Sequence, residues 1–111
     1  MDAVCLPWVR AGVAFASIDF TLHGERASAN LSEQILAHFQ ASSELSPFDA
    51  ELWICFVRQA VIDLRRSVEA LSELPEIDAR RIAYAGFSLG TILGAPFCAE
   101  EARIKAAALA L

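Results

Sequence analysis

Apolar and polar positions follow two distinct rhythms along this chain. Between Ser46 and Leu74 the apolar residues Leu52, Trp53, Phe56, Val57, Ala60, Val61, Leu64, Val68 and Leu71 recur at helical spacing. Such spacing lays them on one stripe of a helix about six turns long. Arg58, Arg65, Arg66, Glu69 and Glu73 occupy the opposite side. Ser46 is the expected cap, Pro47 suits the first helical position, and Asp49 favours the positive end of the helix dipole. Pro75 disfavours helix at the residue before it, so the helix is expected to end near Leu74.

Elsewhere the apolar residues run together. Val13 to Phe20 (VAFASIDF) is nearly all apolar and rich in β-branched and aromatic residues, as in a strand buried on both faces. Arg81 to Phe87 predicts a second strand. Ile104 to Leu111 (IKAAALAL) has helix-favouring residues, but its place after a helix and a charged turn predicts a third, buried strand. Three shorter helices complete the pattern. Asp2 to Ala11 has Asp2 as a cap and Gly12 as a stop, with Pro7 opposing it. Leu31 to Ala41 follows a capping box formed by Asn30 and Glu33. In Leu89 to Ala102, Gly90 and Gly94 share one face and predict close approach to a sheet, while Pro96 predicts a kink or an early end. Thr21 to Ala29, Ser42 to Leu45 and Pro75 to Arg80 are connections. The alternating order predicts α/β layers with a parallel sheet and right-handed crossovers.

Composition narrows the function classes. The 111 residues are 56% hydrophobic and 21% charged, which describes one globular domain spanning 1–111. A net charge of −5 leaves no basic footprint, arguing against nucleic acid and against an anionic membrane surface as partners. No run reaches the roughly 18 apolar residues needed to span a bilayer, and the N-terminus lacks the order of a signal peptide. Cys5, Cys55 and Cys98 form no metal or redox pair and read as reduced, core-filling thiols of a cytoplasmic protein.

The chemistry concentrates at Gly86-Phe87-Ser88-Leu89-Gly90, a G-x-S-x-G sequence between a predicted strand and a predicted helix. In that context a serine stands at a strained turn as a nucleophile. Gly86 and Gly90 are expected where the backbone bends and the two elements approach. The Leu89 amide, at a helix N-terminus, is positioned to hold an oxyanion. The plainer alternative is a turn whose serine only caps the helix.

Other candidates read more plainly. His23-Gly24-Glu25-Arg26 is either a site loop or a turn in which Arg26 pairs with an acid, and the turn is favoured. His38, in a short amphipathic helix, reads as a surface or boundary residue. Asp19 is expected to accept amides of the following loop, Asp63 to be solvated or paired with an arginine, and Asp78 to shape a turn. Glu100 and Glu101 fall on the wrong side of the layer for catalysis. Tyr84 and Phe87 are expected in the core and pocket wall. No metal box or phosphate cradle is present.

The stretches IDFTLHGER, VRQAVIDLRRSVEAL, PEIDARRIAYAGFSLG and IKAAALAL together resemble the α/β-hydrolase superfamily, most closely its dienelactone-hydrolase and acetylxylan-esterase-like serine hydrolases. The resemblance implies a three-layer αβα fold with a mostly parallel sheet, of which Val13–Phe20, Arg81–Phe87 and Ile104–Leu111 would be the fourth, fifth and sixth strands. It implies Ser88 as nucleophile, the Leu89 amide as an oxyanion donor, a small-molecule acyl substrate, and neither metal nor organic cofactor. The family order is serine, then acid, then histidine. No aspartate or histidine follows Ser88 here, and His23 and His38 precede it. The chain is accordingly expected to be a partial domain, with the family's third strand before Met1 and its seventh and eighth after Leu111. Bare sheet edges would then favour self-association. The competing expectation is a catalytically silent fragment or interaction module; acyl transfer or perhydrolysis through the same acyl-serine is a variant of the enzyme.

Overall fold

The computed structural model describes residues 2–40 and 47–111. In chain order the elements are α1 (Asp2–Arg10), a short 3-10 turn (Gly24–Arg26), α2 (Ala29–Gln40), α3 (Pro47–Ser72), β1 (Ile82–Phe87), α4 (Leu89–Glu100) and β2 (Ile104–Ala110). β1 and β2 pair in parallel as a two-stranded sheet, with α4 as the crossover. This is a mixed α/β architecture. Among the described residues no helix is long and apolar enough to cross a membrane.

α3 forms where the apolar stripe predicts it, and the stripe is the core. Phe56, Ala60, Leu64 and Val68, four residues apart, are buried on its inner side. They meet Leu93 and Phe97 of α4, both fully enclosed. The Ser46 cap and the Ser42–Leu45 connection lie outside the described residues. α4 runs through Pro96 to Glu100 without ending early. One missing backbone bond is outweighed there by the burial of Phe97 on the next residue. Gly12, at φ 79°, stops α1 as expected, and the Val13 N–H returns to the Trp8 carbonyl at 2.9 Å. α2 begins before the anticipated Asn30–Glu33 box. Its start is closed instead by Ser32, whose Oγ accepts the Ser28 N–H at 2.9 Å and donates to the Leu22 carbonyl at 2.7 Å.

Two expectations for the sheet need correction. Val13–Phe20 is not a strand of the sheet. Apolar composition supplies a surface to bury, but a strand also needs a neighbour to complete its ladder, and no described segment pairs with this one. Ile18 and Phe20 still pack onto the core beside Ile82 and Tyr84, whereas Val13 and Phe15 are exposed. β2 is a strand but not a buried one. Only Ile104 is half-buried, and the rest of β2 is exposed. The helices of the described residues cover one face of β1, where Ile82, Tyr84 and Gly86 are half-buried. The other face, carrying Ala83, Ala85 and Phe87, is open, and Phe87 is 76% exposed rather than in the core.

The cysteines also differ from a uniform core-filling role. Cys55 is exposed, Cys5 and Cys98 are half-buried, and all three are free. Burial pushes the Cys98 thiol above its ordinary value, which disfavours the reactive thiolate.

Candidate active site

β1 delivers Ser88 to the carboxyl end of the sheet, where α4 begins. Ser88 is exposed and stands at φ 50°, ψ −114°. An L-residue held in so sparsely populated a region costs on the order of 1–3 kcal/mol and persists only when its surroundings fix it. The fixing bonds are present. The Ser88 N–H donates to the Ala110 carbonyl of β2 at 2.8 Å, and the Ser88 carbonyl accepts the Thr91 N–H at 2.9 Å and the Ile92 N–H at 3.2 Å. The serine side chain makes no capping bond to α4, so the plainer expectation of a helix-capping serine is not what the geometry displays. Among the described residues the Leu89 and Gly90 N–H groups have no acceptor. They lie in the first turn of α4, at the positive end of its dipole.

The two glycines of the turn differ. A Cβ at Gly86 would lie 2.5 Å from the Gly90 carbonyl oxygen and 2.7 Å from its carbon, so the close approach demands glycine there. A Cβ at Gly90 would meet only the Tyr84 hydroxyl, at an ordinary 3.7 Å. The expectation that the bend requires both glycines therefore holds for Gly86 and not for Gly90. Gly94 is constrained by Tyr84, whose ring edge occupies the space of a Cβ. Tyr84 also donates its hydroxyl to the Gly90 carbonyl at 2.7 Å and packs edge-on against Phe97 at 5.5 Å between centroids. It is the core residue anticipated.

Among the described residues His23 is not bonded to Ser88. His23 Nδ1 lies 3.0 Å from the Thr21 carbonyl. A carbonyl only accepts, so Nδ1 carries the proton. The His23 ring packs on Phe56 at 5.7 Å, and Leu89 packs on the same cluster, so the imidazole and the turn border one apolar patch. His38 lies on α2 with its side chain outside the described set.

The loop containing His23 is a braced turn. Gly24, at φ 53°, sits where a Cβ would overlap the Asp19 carboxylate. Asp19 Oδ2 accepts the Glu25 N–H at 3.1 Å. Arg26 donates to Asp63 at 2.7 Å and to the Asp19 carbonyl at 3.1 Å. Asp63 also accepts from Thr21 at 3.3 Å and from Gln59 at 2.8 Å. Burial pushes its carboxyl up, but the bonds from Arg26 and Gln59 and the Arg26 charge outweigh burial and leave it below its ordinary value. Asp78 shapes its turn as anticipated, accepting the Arg80 N–H at 3.0 Å.

Two residues near these features were not legible as important. Thr91 Oγ1 lies 2.6 Å from the Ala110 carbonyl and 2.9 Å from the Gly86 carbonyl, bridging both strand ends. A β-branched hydroxyl three positions after the serine is the signal that could have indicated it. Glu101 is a buried carboxylate, 6% exposed, gripped by Arg103 at 2.7 Å and approached by Arg65 at 3.8 Å. Its alternation with arginine two residues on is a weaker signal of a structural pair.

The open cleft lined by Ile18, Asp19, Glu25, Arg26, Asp63, Arg66 and Ser67 does not include Ser88. Among the described residues no group of three or more histidine, cysteine or acidic side chains could hold a metal ion. Comparison with protein-family models, curated proteins and solved structures gives no match for this chain.

Proposed function

We propose that the protein is a serine hydrolase that cleaves an ester or related acyl bond of a small molecule through an acyl-Ser88 intermediate. The observation that carries this reading is the Ser88 backbone, held at φ 50° between a parallel strand and a helix with its hydroxyl free of any capping bond. Ser88 Oγ attacks the acyl carbon and gives its proton to a base. The carbonyl oxygen takes up the negative charge beside the unpaired Leu89 N–H. The alcohol leaves with a proton, and water repeats the sequence on the acyl-serine to release the acid. Perhydrolysis or acyl transfer would differ only in the second nucleophile. The steps require neither a metal nor an organic cofactor.

The same reading takes Val13–Phe20, β1 and β2 as the fourth, fifth and sixth strands of a three-layer α/β-hydrolase sheet. Its support is that Ile18 and Phe20 share a core with β1 although no backbone bonds join the two segments. In that family a strand lies between them. In family order the base is a histidine later in sequence than the nucleophile, a place that neither His23 nor His38 holds; we read the protein as cytoplasmic, in keeping with its free thiols.

A second reading, a catalytically silent module, is favoured by one observation: His23, the histidine whose side chain is described, bonds to the Thr21 carbonyl and not to Ser88. A fluorophosphonate probe with mass mapping, alongside turnover of a nitrophenyl ester, separates the two. A Ser88 adduct and turnover, both lost in Ser88→Ala, are expected for the hydrolase. A folded protein without an adduct would sink that reading. An adduct without turnover would leave the incomplete, silent module.

A further inference from the structure

Ser88 sits in a closed ring of hydrogen bonds, and one side chain completes it. The Ser88 carbonyl accepts the Thr91 N–H at 2.9 Å. The Thr91 hydroxyl donates to the Ala110 carbonyl at 2.6 Å. The same Ala110 carbonyl accepts the Ser88 N–H at 2.8 Å. Two hydrogens on one carbonyl occupy both its lone pairs. The second arm of Thr91 Oγ1, 2.9 Å from the Gly86 carbonyl, reaches back to the last turn of backbone before the serine. The peptides before and after Ser88 are therefore both referred to the end of β2 through one hydroxyl.

We infer that Thr91 is a positioning residue for the Ser88 nucleophile, fixing the strained serine and the neighbouring Leu89 N–H in one geometry; this rests on the hydrolase reading above. A single hydroxyl hydrogen serves two carbonyl acceptors, so no apolar residue of the same shape can replace it. Valine would set a methyl group against both oxygens. Serine would keep the donor. The backbone bonds of Ser88 would remain in either variant, so the fold does not depend on Thr91 while the precision of the turn does. A displacement near 1 Å at a reacting group can lower a rate by up to about a hundredfold.

The test compares Thr91→Val, Thr91→Ala and Thr91→Ser with the unaltered protein. The readouts are the second-order rate of fluorophosphonate addition to Ser88, the melting temperature, and hydrogen exchange at the Ser88 and Thr91 amides. Expected are a roughly tenfold or greater slowing of labelling in the valine and alanine variants, faster exchange at Ser88, and recovery of both in Thr91→Ser. Equal labelling rates across all variants would overturn the inference. So would slowing that tracks loss of melting temperature and is not rescued by serine. Where the unaltered protein takes no label, the hydrolase reading fails by itself, and exchange at the Ser88 amide decides the positioning role. Unchanged exchange in both Thr91→Val and Thr91→Ala then overturns it.

Discussion

Alanine at Gly86 and alanine at Gly90 should move stability in opposite directions. The added Cβ at position 86 would stand 2.5 Å from the Gly90 carbonyl oxygen, a backbone atom that cannot rotate away. Relief requires the first turn of α4 to shift by about half an ångström relative to β1, since non-bonded Cβ contacts closer than 3.0 Å essentially do not occur. Overpacking of this kind costs about 1–3 kcal/mol. The shift also strains the 2.7 Å bond from the Tyr84 hydroxyl to Gly90, itself worth about 1 kcal/mol. Opposing this, alanine narrows the unfolded ensemble by about 0.4–1 kcal/mol. The net expectation for Gly86→Ala is a loss of about 1–3 kcal/mol. At position 90 the Cβ meets only the Tyr84 hydroxyl at 3.7 Å, and φ is not positive. Within α4 the helix preference of alanine then adds about 0.5–1 kcal/mol of stability. Urea unfolding followed by far-UV circular dichroism, with a shared slope, reads both changes directly. Equal signs for the two variants would refute the steric argument.

Phe97→Ala, at a fully enclosed site, should cost about 3–5 kcal/mol in the same unfolding assay. The Arg103 guanidinium, bonding Glu101 through both oxygens against the opposing effect of burial, holds its carboxyl down to about 2 from an ordinary 4.5. A depressed folded value means the ionised form stabilises the fold. That stabilisation is complete above pH 4.5 and is lost as pH falls through about 2. The stability difference between the unaltered protein and Glu101→Gln should therefore shrink between those two values, and a pH-independent difference would contradict the pairing. Phe87→Lys, on the open sheet face at 76% exposure, should lower any self-association seen by sedimentation velocity without lowering the urea midpoint.

The helices were the legible part of this fold. α3 buries one stripe against one neighbour, so local periodicity contained the whole instruction for Phe56, Ala60, Leu64 and Val68. The serine turn was legible for a similar reason: strand, glycine, serine and helix are consecutive, and Gly86 meets Gly90 only four residues away. What depended on distant partners was not legible. Val13–Phe20 advertises apolarity, but whether it pairs depends on a neighbour that composition cannot name. The exposure of β2 on both faces depends on what packs against it, which its own composition does not record. Thr91 acquires its place only through the register that brings Ala110 beside Phe87. The different constraints on Gly86 and Gly90 are likewise invisible in the motif, because the letters record small residues and not which atoms approach them.

Tyr84 also limits how this sequence can vary. Its ring edge fills the space of a Cβ at Gly94, and its hydroxyl holds Gly90. Positions 84 and 94 therefore share one volume, and neither evolves freely while the other is fixed. Enlarging residue 94 alone should be rejected, and shrinking residue 84 alone should leave a hole against Phe97. Changing both together should cost less than the sum of the separate changes, as expected for side chains in direct contact. The two positions behave as one unit of inheritance, and homologous chains with alanine at position 94 should carry a smaller side chain at position 84.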